Sequence, residues 1–307
     1  MTLALLCSGQ GRQSRDMLDL LQGQTAVVPI LDAGSRLLGQ DVRTFLRDAP
    51  DADIYANHAS QLLCAMQALA VHAALFRDGA PSDTLVAGYS VGEAVGWGVA
   101  GIWSVQDTLS LIDARARAMD GAGKTGDGLA YVRGLSRTDM DRLCTAHDAD
   151  IAIINPALLF IVGGSRYALA VLCAEAMMQG ATSAGALPVH VASHTRHLAA
   201  AVPTVEAAFH ALPAARPSLR MLSATDQTIV RDPARQVDAL AAQVARTIDW
   251  DATLVALGER GVTQILELGP GSALADMARE ALPDVPVRSA ADFRAVDGMR
   301  HWIMSGA

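Results

Sequence analysis

The chain has 307 residues, of which 51% are apolar, and carries a formal net charge of −8. This acidic balance argues against a general nucleic-acid-binding protein, because neutralising phosphates requires clustered Lys and Arg. The apolar content is enough for a sizeable buried core in one or two domains.

The cysteines and histidines show no metal-binding or disulfide pattern. Cys7, Cys64, Cys144 and Cys173 lie far apart in apolar stretches, which is typical of buried thiols in a reducing compartment. The histidines form neither an HExxH motif nor a Cys/His cluster, so no metal site is expected. No apolar run reaches the length of a membrane span, and the N-terminus lacks the pattern of a signal peptide. We therefore expect a cytoplasmic protein that binds neither membrane nor nucleic acid.

The first part of the chain predicts a parallel α/β core. Leu3–Cys7 is a continuous apolar run, which is typical of a strand buried on both faces. The segments that follow predict a buried helix, a strand and two further helices, at 58–77, 83–87, 93–99 and 107–119.

The middle of the chain predicts a small inserted domain. A Gly-rich stretch at 120–128 indicates a flexible joint. After it come patterns for strands at 129–132, 151–154, 160–162 and 186–191, with helices at 138–146 and 166–179. This β-α-β-β-α-β order is that of a ferredoxin-like domain. After Ser193 the core resumes, and its last strand is expected at 265–268.

A G-x-S-x-G sequence, Gly88-Tyr89-Ser90-Val91-Gly92, lies between a predicted strand and a predicted helix. Such a turn pushes the serine out of the strand end, and its glycines let neighbouring backbones approach. The following helix N-terminus offers free N–H groups to an oxyanion. Ser90 is therefore a candidate nucleophile, and the alternative is a Gly-Ser turn without chemistry.

A nucleophilic serine needs a base, and histidine is the usual one. His190, His194 and His197 cluster where the inserted domain returns the chain to the core, and such a junction lines the cleft between domains. His72 lies in an apolar helix and is more typical of a core residue. The residues alone leave the choice open among the three clustered histidines.

Five motifs resemble those of malonyl-CoA:acyl-carrier-protein transacylases, in the order that this family has them. They are residues 8–13 for GQGxQ, 88–93 for GHSxGE, 111–119 for VxxRGxxM, 187–194 for LxVxxxSH and 267–271 for ExGPG. The resemblance implies a hydrolase-like α/β parallel-sheet core with an inserted ferredoxin-like (βαββαβ) subdomain. The core then comprises residues 1–122 and 192–307, and the subdomain comprises residues 123–191.

The resemblance also implies the role of each site residue. Ser90 matches the acylated serine, and His194 matches the base, which the family orients by a main-chain carbonyl. The matching carbonyl is expected near 247–250.

Four further residues match the substrate-binding parts of the family's site. Gln10 and Val91 match the residues whose backbone N–H groups form the oxyanion hole. Arg115 matches the arginine that binds the free carboxylate of malonate, and Gln61 matches a pocket glutamine.

The implied activity is transfer of a malonyl group from malonyl-CoA to the thiol of an acyl-carrier protein, through a malonyl-serine, without a cofactor. Tyr89 and residues 94–101 look most like the malonate decarboxylase epsilon subunit. That subunit loads a carrier whose arm is phosphoribosyl-dephospho-CoA, and other decarboxylase subunits would then be partners. The alternatives are the transacylase of fatty-acid synthesis, a serine thioesterase or hydrolase, and an inactive docking subunit.

Three carboxylates could be taken as the acidic member of a Ser-His-acid triad, but the sequence favours other roles for them. Glu93, three residues after Ser90, is expected to complement the dipole at a helix N-terminus. Asp226 and Asp249 are expected to serve in turns or at the surface.

Overall fold

The computed structural model describes residues 2–306, which form ten strands in two sheets and thirteen α-helices. The strands are β1 (Leu3–Cys7), β2 (Leu85–Gly88), β3 (Asp127–Arg133), β4 (Asp150–Asn155), β5 (Leu159–Ser165), β6 (Ser183–Ala186), β7 (Arg220–Met221), β8 (Ile248–Asp249), β9 (Gln264–Glu267) and β10 (Val287–Ser289).

The helices surround both sheets. They are α1 (Val28–Leu38), α2 (Val42–Asp48), α3 (Asp51–Ile54), α4 (Asn57–Leu75), α5 (Val91–Val99), α6 (Val105–Ala122), α7 (Arg137–Ala146), α8 (Arg166–Met178), α9 (Val202–His210), α10 (Pro233–Ala242), α11 (Trp250–Glu259), α12 (Ala273–Ala281) and α13 (Val296–Ser305). Within the described residues, none of these helices is both long and apolar enough to cross a membrane.

The first sheet is parallel, with the strand order β10-β9-β1-β2-β7. All five residues of β1 are buried, as its apolar sequence predicts. Cys7 pairs with Gly88, and Leu6 pairs with Glu267. Because the carboxyl ends of parallel strands meet at one edge of a sheet, the loops after β1, β2 and β9 lie side by side.

The second sheet has the order β6-β3-β5-β4-β8. Its first four strands are antiparallel neighbours, and with α7 and α8 they form the β-α-β-β-α-β unit of a ferredoxin-like fold. The predicted fold class, a hydrolase-like parallel core with this inserted unit, is confirmed.

Alternation along the strands gives the second sheet two buried faces. Leu129 on β3 and Ile161 on β5 pack against the main hydrophobic core. Their neighbours Ala130 and Val162 pack into a smaller core beneath α7 and α8. Because successive side chains point to opposite faces of a strand, one face of this sheet packs against the main core and the other packs against α7 and α8.

The last strand of the inserted unit was predicted wrongly at 186–191. It is β6, Ser183–Ala186, which pairs with β3. The chain leaves the sheet at Pro188, which has no N–H to donate to a ladder. The apolar pattern beyond it has another cause, since Val189 and Val191 are buried in the main core.

The Gly-rich joint is shorter than the sequence indicates. Helix α6 continues to Ala122 and β3 begins at Asp127, so only 123–126 connect them. One strand of the second sheet, β8, comes from beyond 191 and pairs with β4. The division at residues 122 and 191 stays a prediction.

Candidate active site

Ser90 lies on a sharp turn between β2 and α5. Its backbone has φ 59° and ψ −121°, in the left-handed region that L-residues rarely adopt. The two flanking glycines make the turn possible. A Cβ on Gly88 would lie 2.0 Å from the Gly92 carbonyl oxygen, and one on Gly92 would lie 2.0 Å from the Cys7 carbonyl oxygen. The turn therefore presses α5 against the end of β1 and lifts the Ser90 hydroxyl into the cleft.

His194 lies directly against the serine. Its Nε2 is 2.7 Å from Ser90 Oγ, although 104 positions separate the two residues. The imidazole is buried, and the backbone N–H of His194 donates to the Val244 carbonyl at 2.8 Å. Of the three clustered histidines, only His194 contacts the serine. His190 is exposed and bonds to the Arg166 guanidinium.

The carbonyl that orients His194 is that of Gln243, at 2.7 Å from Nδ1. The expectation of a carbonyl near 247–250 is therefore wrong. Residues 248 and 249 form β8 and pair with β4, whereas the 3-10 helix Gln243–Ala245 turns its first carbonyl toward the imidazole. An acceptor at Nδ1 fixes the proton there and leaves the Nε2 lone pair toward Ser90.

Burial keeps the His194 imidazole neutral. Burial and the nearby positive charge of Arg115 lower the pKa of His194 to about 3, against a smaller opposing effect of the Gln243 carbonyl. A neutral imidazole at neutral pH accepts a proton, so the geometry and the charge state both suit a general base.

Arg115 on α6 is 2% exposed, and its guanidinium is only partly bonded. Nη1 donates to Gln61 Oε1 at 2.5 Å, and Nη2 has no hydrogen-bond partner within the described chain. Gln61 is held in turn by Asn57, whose Oδ1 accepts from its Nε2 at 2.8 Å. Burial lowers the pKa of Arg115 to about 10, which still leaves it cationic at neutral pH. A buried cation with a free donor is a site for an anion.

Gln10 and Val91 place backbone N–H groups at the carboxyl edge of the parallel sheet, where Ser90 lies. Val91 is the first residue of α5, and Gln10 follows β1; neither N–H donates to another residue in the described range. The two loops are joined by the Tyr89 N–H, which donates to the Cys7 carbonyl at 3.0 Å. The side-chain oxygen of Gln10 is buried without a partner among the described residues. The edge therefore offers free donors next to Ser90.

A cavity of about 460 Å³ leads to this edge between the two sheets. Gln10 and Tyr89 line its inner side, and the guanidinium-bearing Arg12 and Arg133 line it as well. Ser90, His194 and Arg115 do not line the cavity themselves. The cavity therefore lies beside these three residues and does not contain them.

Sequence reasoning missed two residues that support the site, Glu93 and Gln243. Glu93 is not a simple partner of the helix dipole, because it is 1% exposed and bonds to the side-chain amide of Gln243. A carboxylate in the first turn of a helix whose other residues are all apolar or glycine is the signal that could have found it. Gln243 lies in a short 3-10 helix without any motif.

Of the other two carboxylates, Asp226 lies in a turn, as expected, whereas Asp249 is the N-cap of α11. Asp249 accepts the Ala252 N–H at the start of α11, at 2.9 Å. Asp226 accepts the Thr228 N–H at 3.1 Å. Neither contacts His194.

Glu267 connects two of the loops at the carboxyl edge of the parallel sheet, the edge that carries Ser90. Its Oε1 accepts from the Ser8 hydroxyl at 2.7 Å, and its Oε2 accepts the Ala275 N–H at 2.8 Å. Burial raises its pKa to about 7. The carboxylate thus ties the loop that carries Gln10 to the start of α12.

Comparisons with known proteins find relatives and solved structures that match nearly the whole chain. No family model matches the chain. The malonyl CoA-acyl carrier protein transacylase of Mycobacterium tuberculosis H37Rv is 29% identical over 290 residues, 94% of this chain and 95% of that protein. The crystal structure of an acyl-carrier-protein S-malonyltransferase from Burkholderia pseudomallei 1710b has 27% identity and a TM-score of 0.91, covering 98% of this chain and 100% of that one.

A third similar structure is a malonyl-transacylase in complex with a type II PKS acyl-carrier protein. It covers 98% of this chain and 99% of its own, with a TM-score of 0.91 and 22% identity, and supports the fold alone. The similarities extend over nearly the whole chain, well beyond the serine motif. The chain is therefore similar over nearly its whole length to malonyl-CoA:acyl-carrier-protein transacylases, and it is an acyltransferase of that enzyme type.

Proposed function

We propose that the chain transfers a malonyl group from malonyl-CoA to the thiol of an acyl-carrier protein, through an ester on Ser90. The observation that carries the proposal is the 2.7 Å contact between Ser90 Oγ and His194 Nε2. A hydroxyl this close to a neutral imidazole can lose its proton as it attacks.

The proton moves between Ser90, His194 and the two thiols. His194 Nε2 takes the Ser90 proton as Oγ attacks the thioester carbonyl, and the imidazolium gives that proton to the departing CoA sulfur. In the second half the carrier thiol gives its proton to His194 and attacks the malonyl ester, and Ser90 Oγ leaves with that proton. One thioester is exchanged for another, so the reaction needs no redox cofactor.

The backbone N–H groups of Gln10 and Val91 are proposed to bind the oxyanion of each tetrahedral intermediate. Both are free donors at the edge that carries Ser90. The positive end of α5 adds to the stabilisation. Losing one such donor typically costs about 10²–10³ in rate.

Arg115 is proposed to select malonyl over uncharged acyl groups. Its Nη2 lacks a partner in the described part of the protein, and its Nη1 donates to Gln61. The malonyl carboxylate would accept from the free end of the guanidinium. An acetyl group would leave the buried cation without its anion, at a cost in free energy.

The cavity between the sheets is proposed to take the long arm of the donor or the carrier. Its lining includes Gln10 and also Tyr89, the residue before Ser90. Unpaired guanidinium groups suit a phosphate-bearing arm, and Arg12 makes no ion pair or side-chain hydrogen bond with the described residues. The names of the relatives above 25% identity both refer to an acyl-carrier protein, which supports a carrier as the partner.

A serine hydrolase is the rival for the same pair of residues. In that class an aspartate or glutamate usually accepts from the histidine Nδ1. Here the acceptor is the Gln243 carbonyl, which favours the transferase. Arg115 also has no function in a general hydrolase.

The identity of the carrier is a finer question. The relatives named above are a malonyl CoA-acyl carrier protein transacylase and an acyl-carrier-protein S-malonyltransferase, and these names favour the ordinary acyl-carrier protein of fatty-acid synthesis. The loading role in malonate decarboxylase rests on Tyr89 and residues 94–101. Tyr89 packs edge-on against Trp250, at 5.4 Å between ring centroids.

The pH profile tests the neutral base. Phenylmethanesulfonyl fluoride reacts with an activated serine without needing Arg115. We expect its rate of reaction with Ser90 to stay flat from about pH 8 to pH 5. It should fall only near the His194 pKa of about 3, because protonation there removes the base. A midpoint near 6.5, the ordinary histidine value, would contradict the buried, neutral imidazole.

Replacing Arg115 tests the selectivity. Arg115→Ala should lower the rate of malonyl transfer by about 100-fold, because the acyl carboxylate loses its buried partner, and should change acetyl transfer little. Arg117→Ala is the matched control, since Arg117 lies two residues further on the exposed face of α6 and pairs with Asp113. The measurement is kcat/KM for malonyl-CoA and acetyl-CoA. Equal losses for the two donors would remove Arg115 from the carboxylate role.

Comparing acceptors distinguishes the transacylase of fatty-acid synthesis from the loading subunit of malonate decarboxylase. Malonyl-enzyme would be offered no thiol, a phosphopantetheine carrier, or a carrier with a phosphoribosyl-dephospho-CoA arm, and the products quantified. We expect stable malonyl-enzyme without an acceptor and rapid transfer to the phosphopantetheine carrier. Faster transfer to the second carrier would instead assign the chain to malonate decarboxylase. Rapid release of free malonate would identify a hydrolase.

A further inference from the structure

Glu93 is a buried carboxylate for which the proposed reaction has no direct use. It lies on α5, three residues after Ser90, and is 1% exposed. None of the described cationic side chains forms an ion pair with it. A carboxylate in such a place must be held by hydrogen bonds, because burial without them is costly.

Glu93 is held by backbone and side-chain donors from distant segments. Its Oε1 accepts the Ala224 N–H at 3.1 Å, and its Oε2 accepts from Nε2 of Gln243. Burial raises the pKa of Glu93 to about 8, against the lowering effect of the Ser223 hydroxyl, the Ala224 N–H and the Gln243 amide. Gln243 is 150 positions away in sequence and 1% exposed, so α5 and the 3-10 helix Gln243–Ala245 are joined through this amide.

Gln243 has a second contact, made by its backbone. Its carbonyl accepts from His194 Nδ1 at 2.7 Å, and the next carbonyl, of Val244, accepts the His194 N–H at 2.8 Å. The segment that Glu93 holds therefore fixes both the ring and the backbone of His194. Helix α5 also begins directly after Ser90, so a single rigid element bears the nucleophile and the anchor of its base.

We propose that Glu93 is a positioning residue: through the side chain of Gln243 it sets the carbonyl that fixes the tautomer and orientation of His194. The proposal rests on the proposed roles of Ser90 and His194. Glu93 does not touch the substrate. It keeps the base within 2.7 Å of the hydroxyl, and a displacement of about 1 Å from such a geometry can cost about 100-fold in rate.

An alternative is that Glu93 acts on Arg115, whose charge it partly offsets. The two possibilities differ in which reaction suffers. Loss of positioning slows every attack by Ser90, including attack on an uncharged reagent. Loss of the effect on Arg115 slows only the reaction of a carboxylate-bearing acyl donor.

The experiment measures the rate of Ser90 labelling by phenylmethanesulfonyl fluoride and by malonyl-CoA in variants of positions 93 and 243. Gln243→Met keeps the carbonyl and removes the amide, and Glu93→Met removes the carboxylate. We expect each to slow both reactions by about 10- to 100-fold, and the double variant to be no slower than the worse single one, because the pair acts as a unit.

An exchange variant provides the rescue. In Glu93→Gln with Gln243→Glu, the amide at position 93 can accept from the Ala224 N–H and donate to the carboxylate at position 243. We expect labelling by the sulfonyl fluoride to return to within about threefold of the wild-type rate. Should a single variant not fold, the folded exchange variant decides by itself: a wild-type rate supports the proposal and a slow one overturns it.

Gln264→Met is the matched control. Gln264 is also a fully buried glutamine, and its Nε2 donates to the Trp302 carbonyl at 3.0 Å. It is the first residue of β9, at the end of that strand away from Ser90. We expect a lower melting temperature with unchanged labelling.

Besides a slow exchange variant, positioning by Glu93 would be overturned by sulfonylation at the wild-type rate in Glu93→Met or Gln243→Met, by additive losses in the double variant, or by loss of malonylation alone. The sulfonyl fluoride needs neither malonyl-CoA nor a carrier. Failure of the proposed malonyl transfer can therefore be distinguished from failure of the positioning role of Glu93. In that case the wild-type protein takes up no malonyl group, while the order of the sulfonylation rates still holds.

Discussion

The contact between Ser90 and His194 is the constraint on which the rest of the structure depends. A hydroxyl on a strained turn of the parallel sheet meets an imidazole delivered by the segment that follows the inserted unit. Glycines at 88 and 92 let the turn press into the end of β1, where any side chain would collide with backbone. The segments before and after the inserted unit must therefore both fold before Ser90 and His194 come into contact.

Burial gives this pair its chemistry. His194 stays neutral because charging it would bury a second cation beside Arg115. Arg115 stays charged because arginine keeps a high pKa even where burial lowers it. One site thus holds a neutral base and a free cation side by side. A low local dielectric strengthens both the attraction for a carboxylate and the penalty for leaving the cation unpaired.

The sequence predicted the parts of this arrangement that follow from local patterns. The buried strand β1, the turn at Ser90 and the β-α-β-β-α-β order all come from apolar periodicity and glycine placement. From the residues alone, the choice among His190, His194 and His197 stayed open. The family resemblance selected His194, and the structure places that residue against the serine.

The rest lay beyond sequence reasoning because it depends on contacts between distant segments. Gln243 orients His194 through a backbone carbonyl, and any residue type can supply one, so no motif marks it. The end of the inserted unit was misplaced because Val189 and Val191 are buried by the main core and not by the sheet. Glu93 was read as a local helix residue, although its partners are Ala224 and Gln243.

The most direct measurement of the central claim is mass spectrometry of the protein after brief exposure to malonyl-CoA without a carrier, with the modified peptide mapped. The account predicts one malonyl ester, located on Ser90 and absent from Ser90→Ala. An unmodified Ser90, or an adduct on another residue, would contradict it.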